Sequence, residues 1–221
     1  MGLLDRLLGD LIATTPPEVV AVVLALAYIV LAVRRSLWCW PCAFFSVAIY
    51  AVLFARTGLV MQSVLQLFYL AMAVYGWIDW RRGRTAAGTL AIETRGWRWH
   101  LAVIALIALA SALNGWLLAR SGVAAAPYVD AFVTWASIAT TWMVARRLLE
   151  NWLYWIVIDV VAAWLYFSQS LALTSLLFAV YVVIAIRGHV SWRREWLAQR
   201  SPESAQPPAT PAIEPVRDGS R

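Results

Sequence analysis

A stretch of 49 residues occurs twice in this chain: residues 34–82 lie over residues 146–194 at a constant offset of 112, without gaps. Fifteen of the 49 positions are identical. Apolar composition alone supplies matches such as Leu37/Leu149 or Ala51/Ala163. It does not easily supply Arg35/Arg147, Trp40/Trp152, Tyr69/Tyr181, Gly76/Gly188 and Trp80/Trp192 in one register. A repeat inside a hydrophobic chain is a signature of transporters, whose binding sites lie at the interface between repeats.

The chain is 62% hydrophobic and 14% charged. A soluble domain is nearer half apolar and a quarter charged, so this is an integral membrane protein. No basic region, short apolar core and small-residue cleavage site follow one another at the N-terminus, so no cleaved signal peptide is expected. A helix needs about 20 apolar residues to cross a bilayer. Seven such spans are read at 18–33, 37–55, 59–80, 99–119, 128–145, 151–167 and 171–187. The alternation of a β-barrel is missing from them.

Arginine sets the orientation. All 18 basic residues are Arg; 15 follow odd-numbered spans and 3 lie on the opposite side. The positive-inside rule then puts the N-terminus outside and the C-terminus in the cytoplasm. This distribution suits topology better than nucleic-acid binding. Spans 1–3 match spans 5–7, and Glu18 matches Asp130 at the same offset. Three helices reverse the chain, and span 4 restores its direction, so the repeats are parallel. The expected fold is all-α, with seven transmembrane helices in a three-plus-one-plus-three order.

The chain divides into a peripheral amphipathic segment (1–17), a first repeat (18–80), a basic link with helix 4 (81–127), a second repeat (128–194) and a disordered cytoplasmic tail (195–221). Exposed helix faces leave room for a symmetric homo-oligomer.

Polar groups at membrane depth are functional candidates by default. On span 6, Trp152, Trp155, Asp159 and Tyr166 fall on one helical face. Span 5 aligns Asp130, Thr134, Ser137 and Thr141; span 3 aligns Gln62, Gln66, Tyr69 and Ala73; span 7 aligns Thr174, Phe178 and Tyr181. Serine and threonine in such helices often only bond neighbouring helices or their own backbone. Asp159, Gln66 and Asn151 are the sharper candidates. A pocket of Trp, Tyr and one carboxylate suits a flat, cationic aromatic ligand. Trp97, Trp99, Trp192 and Trp196 read as interfacial belt residues. The inner ends of spans 3 and 6, around Trp80 and Glu150, are candidates for an inner gate.

Enzyme chemistry finds little footing. Neither H-E-x-x-H nor G-x-S-x-G occurs. Cys39-Trp40-Pro41-Cys42 lacks a second pair and opens an apolar helix, so both cysteines read as small apolar fillers, with no metal and no cofactor.

The segments "LQLFYLAMAVYGWIDW" (65–80), "YVDAFVTWASI" (128–138) and above all "RRLLENWLYWIVIDV" (146–160) resemble the PnuC family of vitamin transporters. The order and spacing agree from span 2 to span 7. The resemblance implies a fold similar to that of sugar-transporting SWEET proteins, and a bacterial inner-membrane location. It implies uptake of nicotinamide riboside by facilitated diffusion through alternating access, with trapping by a cytoplasmic kinase. It implies a central site carried onto Gln66, Asn151, Trp152, Trp155 and Asp159; Tyr69, Thr134, Ser137 and Tyr166 complete the candidate set from the polar faces. Family members often carry Asn before the Y-G-W of span 3, where this chain has Ala73 and Val74. Thiamine or riboflavin as substrate, and proton coupling through Asp159, are therefore the alternatives.

Overall fold

Buried backbone in a bilayer must pair with itself, which favours helices. The computed structural model describes residues 15–56, 60–85, 88–121, 126–168 and 172–200. They form seven α-helices: α1 (Pro16–Val33), α2 (Cys39–Arg56), α3 (Val60–Arg82), α4 (Trp97–Ser121), α5 (Pro127–Ala145), α6 (Asn151–Ser168) and α7 (Ala172–Ala198). Prolines open α1 and α5, where a missing N–H costs nothing. The amphipathic segment expected before α1 falls mostly, and the tail from 201 wholly, outside the described residues.

Each expected span corresponds to one helix, with two differences. α7 does not stop near 187 but runs on to Ala198, four residues into the expected tail. The extension persists because Trp192 is buried and Arg35 holds Ser191 and Glu195. Secondly, among the described residues, five helices (α1, α2, α4, α6 and α7) contain a segment long and apolar enough to cross a membrane. α5 falls short because Asp130 and several hydroxyls interrupt it, and α3 carries Gln66 and Asp79. These two helices pack on each other. Polar groups are tolerated at membrane depth where they face protein.

α1, α2 and α3 pack in sequence, as do α5, α6 and α7, and α4 packs on α5. The two sets meet through α3 with α5 and through α1 with α7. At an offset of 112, α1 corresponds to α5 and α3 to α7, so the same joint is used twice. The repeated glycines serve it. Trp40 lies so close to Gly76, and Trp152 to Gly188, that a Cβ on either glycine would run into the indole.

The turns leaving α1 and α5 are also copies. Arg35 and Arg147 adopt left-handed backbone, with φ of 58° and 60°. Ser36 N–H reaches back to Leu31 O at 2.9 Å, and Leu148 N–H to Met143 O at 3.0 Å, closing a Schellman motif in each case. Glycine is the usual residue here, because a Cβ costs about 1–2 kcal/mol in this conformation. The arginines are retained for their side chains. Arg147 forms ion pairs with Asp79 of α3 at 3.1 Å and with Glu93 at 3.0 Å. Arg35 donates to Ser191 of α7 at 2.8 Å and pairs with Glu195 at 3.3 Å. Asp79 and Ser191 are themselves repeat mates. Each half thus clasps the third helix of the other.

The expected basic link is not a bare tether. Leu90 and Ile92 are buried in the main core beside Trp80 and Trp192. Glu93 N–H donates to Arg147 O at 3.1 Å, and Leu149 N–H returns to Glu93 O at 2.9 Å. Gln199 grips the strap from α7's end, donating to Leu90 O at 2.8 Å and accepting from Ile92 N–H at 3.2 Å.

Replacing Arg147 by glycine separates backbone strain from the clasp. Arg147→Gly removes about 1 kcal/mol of strain but leaves the half-buried Asp79 with only Arg146 of the turn, at 3.6 Å, and Glu93 without its Arg147 partner. The expected result is a lower thermal unfolding temperature in detergent. A higher one would mean that strain outweighs the ion pairs.

Candidate functional site

Two cavities lie side by side in the bundle. The first, about 210 Å³, is lined by Trp152, Trp155 and Asp159 of α6, by Phe178, Tyr181 and Ala185 of α7, and by a stripe of α1 that includes Tyr28. The second, about 190 Å³, is lined by Trp40, Ala43, Ser46 and Val47 of α2, Tyr69 and Ala73 of α3, and Thr141 of α5. Ala25, Tyr28 and Trp155 line both.

The cavities are copies of each other. Trp152, Trp155, Asp159, Tyr181 and Ala185, less the offset of 112, become Trp40, Ala43, Val47, Tyr69 and Ala73, all lining the second cavity. Three of these five pairs are identical. The two that differ carry the chemistry: Trp155 opposite Ala43, and Asp159 opposite Val47. Duplication supplied the walls, and divergence put a carboxylate on one side only and added an indole, Trp155, as the wall between the cavities.

Asp159 is 4% exposed. Its cavity is otherwise mainly aromatic and aliphatic. Around it, Tyr28 tilts against Trp40 at 6.1 Å between ring centroids, and Phe178 makes an edge contact with Tyr181 at 5.7 Å. The indole N–H groups of Trp40 and Trp152, both 2% exposed, find no hydrogen-bond partner among the described residues. In the second cavity, Ser46 donates to Ala21 O and Thr141 to Ser137 O, each at 2.8 Å, which leaves both hydroxyl oxygens able to accept. The arrangement can stack a flat ring, balance a positive charge and bond hydroxyl groups. Among the described residues, no His, Cys, Asp and Glu group is arranged to hold a metal.

The candidates from sequence are dispersed accordingly. Trp152, Trp155 and Asp159 come together in the first cavity, and Tyr69 reaches the second. Ser137 is half-buried beside Thr141, and its carbonyl takes the Thr141 hydroxyl. Thr134 turns its hydroxyl back to Asp130 O at 2.9 Å. Asn151 is fully buried, but its amide ties the α5–α6 turn by donating to Leu148 O at 2.6 Å. Gln66 is half-buried and is not among the residues lining either cavity. Tyr166 stacks on Phe178, behind the first cavity, at 5.2 Å. The side chains of Gln62 and Thr174 lie outside the described residues. Sequence reasoning missed Tyr28 and Trp40. Trp40 carried a signal, its identity with Trp152; Tyr28 faces Thr140 in the repeat and carried none.

Toward the arginine-rich end, four tryptophans floor both cavities. Ring centroids are 5.4 Å apart for Trp40 and Trp80, 5.7 Å for Trp80 and Trp192, and 5.6 Å for Trp192 and Trp152. Trp80 Nε1 donates to Val144 O at 2.9 Å, across from one half to the other. Its mate Trp192 donates to Ala32 O at 3.1 Å, the opposite way. Ala32 and Val144 are also repeat mates. Trp192 is therefore no belt residue: it is fully buried. Trp97, 68% exposed, does fit a belt position. Glu150 lies off this floor, where it accepts the Arg95 N–H at 3.2 Å and approaches His100.

The sequence model of a family described as "Nicotinamide mononucleotide transporter" matches residues 15–194. The riboflavin/roseoflavin transporter RibM of Streptomyces davaonensis is 28% identical over 188 residues, covering 83% of this chain and 85% of that protein. The nicotinamide riboside transporter PnuC of Escherichia coli is 24% identical over 174 residues, covering 66% and 72%. A crystal structure of the vitamin B3 transporter PnuC superposes with a TM-score of 0.62 at 21% identity, covering 81% of both chains.

The paired floor bonds can be tested by Trp80→Phe and Trp192→Phe, which keep a ring and remove the donor. Val144 O and Ala32 O each also accept an N–H from their own turn, so neither carbonyl is orphaned. Each variant is expected to lose about 0.5–1.5 kcal/mol, read from thermal unfolding in detergent. The two losses should be similar, because the surroundings are duplicated; strongly unequal losses would contradict equivalent roles.

Proposed function

The chain belongs to the nicotinamide mononucleotide transporter family, the PnuC type of multi-pass vitamin transporter, and from that premise we propose that it takes up nicotinamide riboside by facilitated diffusion. The observation that carries this substrate is Asp159, a buried carboxylate in an aromatic cavity. A charged side chain at membrane depth costs about 2.5–3.5 kcal/mol on insertion scales. A ligand with a fixed positive charge offsets that cost, and a neutral one does not. The pyridinium ring of nicotinamide riboside has both the charge and the flat face that Trp152 and Trp155 can stack on.

A second reading is riboflavin transport, favoured by the riboflavin-transporting relative, which matches more of this chain at higher identity than the nicotinamide riboside transporter does.

The proposed mechanism uses two three-helix units, parallel in the membrane and joined by α4, rocking about the cavities. The arginine-rich end faces the cytoplasm of a bacterial inner membrane, with the N-terminus outside. On this reading the tryptophan floor, its two indole-to-carbonyl bonds and the arginine clasps form the inner gate, here closed. Opening breaks equivalent contacts at both joints together. Release to the cytoplasm, followed by phosphorylation there by a kinase, would make uptake one-way without a coupled ion.

Calorimetry with purified protein and nicotinamide riboside, riboflavin and thiamine tests the substrate. Nicotinamide riboside is expected to bind, and Trp155→Ala to abolish or strongly weaken binding. Asp159→Asn should weaken nicotinamide riboside at least tenfold, about 1.4 kcal/mol, and leave any riboflavin affinity unchanged. Riboflavin binding alone would replace the substrate and keep the family. In vesicles, facilitated diffusion requires uptake to stop at equal concentrations with or without a pH gradient. Gradient-driven accumulation that Asp159→Asn abolishes would assign proton coupling instead.

A further inference from the structure

We infer that the cavity built by the first repeat is a second subsite of the transport site, taking the hydroxyl-bearing sugar portion of the ligand while the cavity of the second repeat takes its ring. The inference rests on the transport reading above and adds a division of labour between the two halves.

Size is the first argument. Small-molecule sites usually enclose about 300–1,000 Å³. At about 210 and 190 Å³, each cavity alone falls below that range, and the two together enter it. They share Tyr28 and Trp155 as walls, so one ligand can extend from one cavity into the other.

Divergence between the copies is the second. The first cavity has the carboxylate and an added indole, suited to a flat cation. At the mate positions the second cavity has Val47 and Ala43, so it lacks the carboxylate, and Trp155 reaches it only as the shared wall. It offers hydroxyls instead. Thr141 stands where the first cavity has Ile29, and Ser46 adds another; both oxygens keep acceptor capacity while donating to backbone carbonyls.

Trp40 is the third. Its ring is 2% exposed, it lines the second cavity, and its Nε1 has no partner among the described residues. A buried N–H without an acceptor is costly, and a ligand oxygen would satisfy it; its mate Trp152 Nε1 is also unpartnered, but no serine or threonine lines the first cavity beside it. Donor and acceptors in one small cavity beside an aromatic wall match a polyol. Ribose and the ribityl chain of riboflavin both qualify, so the subsite accommodates either vitamin.

A double-mutant cycle between protein and ligand tests this. Trp40→Phe keeps an aromatic ring and removes the donor. Affinity is measured for the vitamin that binds and for its analogues with each sugar hydroxyl deleted in turn, on wild type, Trp40→Phe and Trp152→Phe. Thr141→Val is the second variant, and thermal unfolding confirms that each variant is folded. At least one hydroxyl deletion should couple to Trp40→Phe or to Thr141→Val by about threefold or more, and none to Trp152→Phe. Additive effects throughout, or coupling to Trp152→Phe alone, overturn the subsite while leaving vitamin binding intact. Failure of wild type to bind any of the vitamins overturns the transport reading and the subsite together.

Discussion

The bond from a buried indole to the carbonyl of a helix end, made once by Trp80 and once by Trp192, anchors the rest of the structure. It crosses from each half of the molecule to the other. Its donors are fully buried, and its acceptors, Val144 and Ala32, also line the first cavity. One pair of bonds therefore fixes the halves to each other and sets the floor of the site. In a hydrophobic surrounding, with little apolar surface left to hide from water, such specific polar contacts and close packing hold helices together. Gly76 and Gly188 provide the closeness and the tryptophans provide the contact.

The same economy explains the arginine turns. A left-handed arginine is a poor choice for the backbone alone. It becomes a good one when its guanidinium reaches the third helix of the other half, as Arg147 does to Asp79 and Arg35 to Ser191. The copies are not equal: Arg147 gains Glu93 from the strap and is more buried, whereas Arg35 gains Glu195 from α7 and is more open. The strap itself, with Leu90 and Ile92 in the core, has no counterpart within the repeat and covers the floor from outside.

Symmetry in the walls and asymmetry in the chemistry follow from one event. A duplicated unit gives two equivalent joints, which allows both to open together. Two identical cavities would bind an asymmetric ligand no better at one end than the other. Asp159 at a valine position and Trp155 at an alanine position make the two ends of the paired cavities chemically different.

Much of this was legible in the chain. Hydropathy located all seven helices, because the bilayer fixes how long an apolar segment must be, and the constant offset identified which helices are equivalent. The span 6 face grouped Trp152, Trp155 and Asp159, which line one cavity, since helical periodicity alone decides which residues share a face. What periodicity does not contain is which face meets which neighbour. So Asn151, whose amide N–H ties a turn, and Gln66, which lines neither cavity, stand apart from that group, and Trp192, read as a belt residue, is buried in the floor. Tyr28 was overlooked because a lone tyrosine in an apolar span looks like packing until α1 is set against α2 and α7. Sequence by itself determined the elements and their duplication, because these depend on local composition and identity. Only tertiary structure decided the site, because a cavity is made by side chains from helices far apart in the chain, and their meeting depends on packing that no single segment encodes.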